Sequence, residues 1–167
     1  ASADRIRQSI LKLDQLCIAQ FRETYNRVND YFSEIYPRLV GGGRAHLELT
    51  DPKDLLATGV AIYAQPPGKR LQSLTLLSGG EKAMVAISLL FSLFRVKPSP
   101  FCVLDEVDAP LDEGNGARFN AMLSEMAEKS QFIVITHNKK TMEAADILYG
   151  VSMISPGISS LVSTKME

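Results

Sequence analysis

Asp105 and Glu106 stand directly after the apolar run Phe101-Cys102-Val103-Leu104. That run reads as a buried strand, and ligands of open α/β sheets gather beyond the carboxyl ends of strands. An acid there can hold Mg²⁺ through its water shell, and a second can orient or deprotonate an attacking water. Acids are also common at ordinary strand ends, so the pair alone marks only a candidate. His137 follows a second buried run, Phe132-Ile133-Val134-Ile135-Thr136. Adjacent parallel strands put their carboxyl ends on one edge, which would set His137 beside Asp105 and Glu106. A lone histidine at a strand end is more often structural. One that shares an edge with paired acids is placed to contact a phosphate or the attacking water.

Leu77-Ser78-Gly79-Gly80-Glu81 offers a different chemistry. Ser followed three residues later by Glu is a capping box, which needs no ligand. Two glycines inside the first helical turn are not explained that way, since each weakens the helix by up to about 1 kcal/mol. They suit a backbone that something must approach closely. Free N–H groups at a helix N-terminus, with a serine hydroxyl, form an anion site suited to phosphate. Phosphate contact is therefore favoured over capping alone. Gly41-Gly42-Gly43 carries no such signal, because no Lys-Ser or Lys-Thr follows, and it reads as a tight turn into a strand. No Gly-x-x-x-x-Gly-Lys-Ser/Thr occurs anywhere. The only Gly-Lys, Gly68-Lys69, is followed by Arg70 and lacks the preceding glycine.

These residues need elements to position them. Ile6, Ile10, Leu13, Cys17, Phe21, Val28, Phe32 and Ile35 recur at helical spacing, broken only at Thr24, and predict one long helix up to about Tyr36. Such a seam suits a coiled coil or a helix lying on a domain. Pro37 is expected to end it. His46 to Thr50 alternates polar and apolar as a half-buried strand does, so His46 points to solvent and is given no chemistry. Asp51–Asp54 reads as a turn, Val60–Ala64 as a second strand, and Pro66–Arg70 as a stiff basic loop. Ala83–Phe94 is apolar on nearly every side, as in a helix buried inside a larger assembly. Phe119, Met122, Leu123 and Met126 mark an amphipathic helix between the two apolar strands. Together they predict a parallel βαβ unit covered on both faces. Ser155-Pro156-Gly157-Ile158 predicts a type II turn joining two final strands.

The chain has 167 residues, 46% hydrophobic and 22% charged, with a formal net charge of −1. That is enough to bury a core, and it leaves no overall basic footprint for nucleic acid. Arg5, Arg7 and Lys12 read as a solvated helix face. Cys17 and Cys102 lack a partner at metal or redox spacing, and are expected to be buried, reduced thiols as in a cytosolic protein. No apolar run approaches the roughly 20 residues that span a bilayer. No basic-then-apolar signal segment is present at the start.

Taken jointly, the motifs carry a resemblance. Leu77–Glu81 resembles the signature motif of ABC-type ATPases, Phe101–Glu106 their Walker B strand, Ala109-Pro110-Leu111-Asp112 their D-loop, and His137 their switch histidine. The wording Leu-Ser-Gly-Gly-Glu-Lys and Val-Leu-Asp-Glu-Val-Asp-Ala-Pro-Leu-Asp is similar to the structural maintenance of chromosomes (SMC) family, most closely its bacterial chromosome-condensation members. The resemblance spans nearly the whole chain and is to the C-terminal half of the head, without the Walker A loop of the N-terminal half. It implies an α/β lobe, a parallel βαβ core with antiparallel hairpins, preceded by a coiled-coil helix. Residues 1–36 would be the coiled-coil end and 37–167 the lobe.

The resemblance further implies ATP and Mg²⁺ as cofactors, with two complete heads sandwiching two ATP molecules. Ser78, Gly79, Gly80 and Glu81 would meet, in trans, the nucleotide of the opposite head. Asp105 would serve Mg²⁺, Glu106 the attacking water, and His137 the γ-phosphate or that water, while Asp112 would cross the dimer interface. Implied partners are the N-terminal half of the same head, a second SMC head, the winged-helix domain of a kleisin subunit at the terminal hairpin, and DNA. The expected setting is cytoplasmic and nucleoid-associated, with no membrane. A coiled-coil DNA-repair ATPase and the nucleotide-binding subunit of an ABC transporter stand as alternatives.

Overall fold

Tyr25, Asn29 and Ser33 recur every four residues, so on a helix they form a single polar stripe. In the computed structural model, which describes residues 2–165, they lie on α1 (Ser2–Val40). The Tyr25 hydroxyl donates to the Leu47 carbonyl (2.8 Å), and the Leu47 N–H donates to Asn29 Oδ1 (2.7 Å). The Ser33 hydroxyl donates to the Ala45 carbonyl (2.9 Å). Ala45 and Leu47 belong to β1 (Arg44–Leu49), an edge strand of the antiparallel sheet β1-β2-β3, with β2 at Val60–Gln65 and β3 at Gln72–Ser73. The stripe thus satisfies backbone groups that an open edge would leave bare. Burial of the Tyr25 phenol in this contact, with the charge of Glu48 nearby, pushes its pKa up.

Beside the stripe, Val28, Phe32 and Tyr36 pack with Ala45, Leu47, Ala64, Leu77 and Val85 into one apolar core. This core explains why Pro37 does not end the helix as expected. Ile35, Tyr36 and Leu39 are all buried, and their packing outweighs the one hydrogen bond that proline removes. The helix stops three residues later instead. There the N–H groups of Gly41 and Gly42 both donate to the Pro37 carbonyl, and Gly41 takes φ 80°, a left-handed cap suited to glycine.

The helix α2 (Gly79–Val96) lies against α1, and its buried residues are Met84, Val85, Ile87, Ser88, Phe91 and Ser92. The buried hydroxyls of Ser88 and Ser92 fold back onto the carbonyls four residues earlier. At its far end the Arg95 guanidinium sits over the Tyr31 ring, 5.5 Å from the centroid, and Arg27 donates to the Val96 carbonyl. Leu90 and Leu93 remain exposed, so within the described residues the all-round apolar pattern is covered on one side only.

The chain divides into two units between Ser99 and Pro100. In the second, β4 (Phe101–Asp105) and β5 (Gln131–Ile135) pair in parallel, with Phe101 opposite Gln131 and Asp105 opposite Ile135. Their crossover is α3 (Glu113–Ala127), giving the expected βαβ unit. The expectation that both faces are covered is not met. Leu104 is buried on one face, while on the other Phe101, Val103, Ile133 and Ile135 are 59, 53, 49 and 51% exposed. Both strands carry apolar residues on both faces, so their sequence predicts two covered faces where the structure buries Leu104 on one alone. A short helix α4 (Lys139–Glu143) follows, then a hairpin of β6 (Ile147–Ser155) and β7 (Ile158–Lys165). Gly157 has φ 81°, the left-handed position that a type II turn requires. The architecture is mixed α/β with a long leading helix, as expected.

The cysteine reading is half corrected. Cys102 is partly buried, and burial pushes its thiol pKa up, but Cys17 is exposed on the early part of α1, where Ile6, Ile10 and Leu13 are also uncovered. Among the described residues no helix is long and apolar enough to cross a membrane.

Candidate functional site

The structure brings Asp105, Glu106 and His137 to one sheet edge. Asp105 is the last residue of β4, and Glu106 turns off the strand with φ 49°, the left-handed region that non-glycine residues rarely occupy. Its N–H donates to the Ile135 carbonyl at 2.8 Å, which ties the turn to the end of β5. A strained residue held by a hydrogen bond on a sheet edge is characteristic of a working site, since the strain costs on the order of 1–3 kcal/mol. The His137 Nδ1 lies 3.9 Å from Glu106 Oε1. Both side chains are largely exposed, so this is an apposition open to a ligand, too long for a direct hydrogen bond.

One residue of this edge went unassigned from sequence. Asp108 is only 2% exposed, and its Oδ2 accepts hydrogen bonds from Thr136 Oγ1 (2.7 Å) and Thr141 Oγ1 (2.6 Å). The Asn138 N–H in turn donates to Thr136 Oγ1, and the Lys140 N–H donates to Asn138 Oδ1. His137 therefore stands between two pinned neighbours, and the loop after β4 is bolted to the loop after β5. The signal available was an acid three residues past Asp105 facing Thr136 and Thr141, which no local pattern joins. Replacing Asp108 by Ala leaves two hydroxyls without their charged acceptor, at a cost of about 3 kcal/mol. Hydrogen exchange of residues 136–141 should speed up markedly in that variant, while β6 and β7 keep their protection. Unchanged exchange at 136–141 would refute the bolt.

Asp112 is the N-cap of α3: its carboxyl accepts from the Asn115 N–H (2.7 Å) and Asn115 Nδ2 (3.0 Å). It is exposed beside that cap. Across the same unit, Lys140 pairs with Glu113, whose carboxyl is held below its ordinary pKa by that ammonium.

In the first unit, Ser78 is the N-cap of α2 and Gly79 and Gly80 are its first two residues. All three are exposed, and a side chain added at Gly79 would meet nothing within 4 Å. The backbone there is open to approach. Glu81 receives the Ser78 N–H at 3.0 Å and the Ser78 hydroxyl at 2.8 Å, both on Oε2. Its Oε1 is 2.8 Å from Lys69 Nζ. The hydrogen bond from Lys69, then those from Ser78, hold the Glu81 pKa down at about 2. Capping is thus real, and it coexists with an accessible helix end.

Oxygen donors suit Mg²⁺, which keeps several waters and takes few protein carboxylates. Asp105 fits as such a partial ligand. No group of three His, Cys, Asp or Glu side chains that could hold a metal occurs among the described residues. Any further ligands would come from water and substrate phosphates.

Residues 6–160 match the family described as the RecF/RecN/SMC N terminal domain. Over the whole chain, 55% of residues are identical to the chromosome partition protein Smc of Myxococcus xanthus, of which the chain spans 14%. The Smc head domain of Pyrococcus furiosus, with an extended coiled coil and bound to the C-terminal domain of ScpA, superposes with a TM-score of 0.87 at 38% identity. That match covers 97% of this chain and 40% of the other. A structure from work on ATP-driven dimerization and DNA stimulated activation of SMC ATPases superposes with a TM-score of 0.82 at 38% identity. It covers 89% of this chain and 90% of the other.

Proposed function

The chain belongs to the RecF/RecN/SMC family, and we propose that it is the C-terminal half of an SMC ATPase head. Residues 1–36 would be the end of a coiled coil entering the head, and 37–167 its lobe. The observation that carries this reading is the parallel pair β4–β5, which bears acids and a histidine on its carboxyl edge and leaves one apolar face bare. Among the described residues that sheet has two strands and no third. The sequence lacks a phosphate loop, and an N-terminal half would supply both.

In the joined head, Glu106 positions or activates the attacking water, and His137 contacts the γ-phosphate or that water. Asp105 would hold Mg²⁺ through its water shell, and the ion supplies charge neutralisation at the phosphates. Ser78, Gly79 and Gly80 meet the γ-phosphate carried by a second head, with Glu81 behind them, and Asp112 crosses the interface. ATP then joins two heads and hydrolysis releases them. The work served is chromosome condensation and segregation in the cytoplasm, at the nucleoid, on DNA. Similarity to a chromosome partition protein supports that role, and a similar head bound to the C-winged helix domain of ScpA supports a kleisin winged-helix partner, whose seat in this reading is β6–β7.

Ser78→Asp in the full-length protein tests the trans contact. A carboxylate placed where phosphate must approach should weaken ATP-driven head association by about tenfold or more, through like-charge repulsion. ATP binding to each separate head should persist. Undiminished association, measured by light scattering with ATP, would overturn the assignment of the signature serine.

A further inference from the structure

A chain of contacts runs from the end of α1 to the signature serine. The Gly41–Gly43 turn sits tightly against the following loop: a side chain at Gly43 would come within 2.1 Å of the Gln65 carbonyl, and one at Gly42 within 3.6 Å of Pro67. Gln65 is gripped at both ends of its amide. Arg44 Nε donates to its Oε1 at 2.7 Å, and its Nε2 donates to the Lys69 carbonyl at 2.9 Å. The Lys69 N–H closes the turn onto the Pro66 carbonyl (3.1 Å), and Gly68 takes φ 74° within it. The backbone of Lys69 is therefore fixed, and its ammonium reaches Glu81.

Glu81 divides its two oxygens, Oε1 to Lys69 and Oε2 to the Ser78 N–H and hydroxyl. This division has a consequence for phosphate. The Ser78 hydroxyl has one proton, and here it is given to Glu81. To donate to a phosphate oxygen it must let go, leaving a carboxylate at the entrance of an anion site. An uncompensated carboxylate there repels the ligand, whereas one held in a charge-assisted bond by Lys69 is neutralised and kept aside.

We propose that Lys69 is a positioning residue for the signature serine, acting through Glu81, and that the Pro66–Arg70 loop transmits the placement of α1 to that serine. The proposal rests on the ATPase reading. In this role Lys69 acts through Glu81 and not by contact with the nucleotide.

The test uses the full-length protein carrying Lys69→Met, Lys69→Arg, Glu81→Gln or the Lys69→Met/Glu81→Gln pair. Lys69→Met should lower kcat for ATP about tenfold and raise, by a similar factor, the protein concentration needed for ATP-driven head association. Binding of ATP to separate heads should not change, which also reports that the variant is folded. Lys69→Arg should restore most of the turnover. In the Glu81→Gln background, where no carboxylate needs neutralising, adding Lys69→Met should change kcat less than about twofold, a double-mutant coupling that a merely structural lysine would not show. Equal losses in both backgrounds, or full turnover in Lys69→Met, would overturn the proposal while leaving the ATPase reading standing. Absence of turnover in the unsubstituted protein would overturn that reading and the relay with it.

Discussion

Glu106→Gln in a complete head is expected to lower ATP turnover by about 10²–10⁴-fold, the usual worth of a positioned general base, while leaving ATP-driven association of two heads intact. The amide keeps the size of the carboxyl but cannot take a proton from water. The backbone should not relax, because the Glu106 N–H stays on the Ile135 carbonyl and its left-handed turn does not depend on the side chain. Nor should His137 move, since Asp108 and Asn138 hold its neighbours independently of Glu106. The measurement pairs phosphate release with dimer formation in the presence of ATP. Equally fast turnover would remove Glu106 from the role, and loss of the dimer would show that it serves binding instead of hydrolysis.

The second large effect is all-or-none. Purified by itself, this chain should show no ATPase activity, and it should gain Mg²⁺-dependent hydrolysis when co-expressed with the N-terminal half of its head. Two physical reasons converge. The sequence contains no loop able to cradle the β- and γ-phosphates. The β4–β5 pair also exposes Phe101, Val103, Ile133 and Ile135, each about half uncovered. Burying the remainder of each is worth about 1 kcal/mol, so the face strongly favours a partner. Alone, the chain should bind a hydrophobic dye and self-associate, and co-expression should suppress both. Clear hydrolysis by the pure isolated chain would refute this division of labour. A joined head with no activity would refute the ATPase reading itself.

Much of the site was legible because its signals are local. Ser78 and Glu81 announce a helix start at a spacing set by one helical turn, and Asp105-Glu106 and His137 each follow a short apolar run. The parallel pairing that joins those runs follows from their lack of alternation. Other features resisted reading for identifiable reasons. Pro37 is a helix breaker by propensity, and only the buried neighbours Ile35, Tyr36 and Leu39 carry the helix past it. Cys17 lies on an apolar seam, and seam membership does not say whether a partner is present to bury it.

Asp108 and Lys69 show the same limit at the site. Their partners lie 28 and 33 residues away for Asp108, and Lys69 pairs with Glu81 across a strand and a turn. No periodicity links such positions, because side-chain spacing reports the face of an element and not what the opposite element brings to it. The motifs and the absence of a phosphate loop were thus determined by the amino-acid sequence alone, since each depends on near neighbours in the chain. Which acid is buried, which lysine holds Glu81 and which sheet face stays bare were decided by tertiary structure, since each depends on groups that only folding brings within a few ångströms.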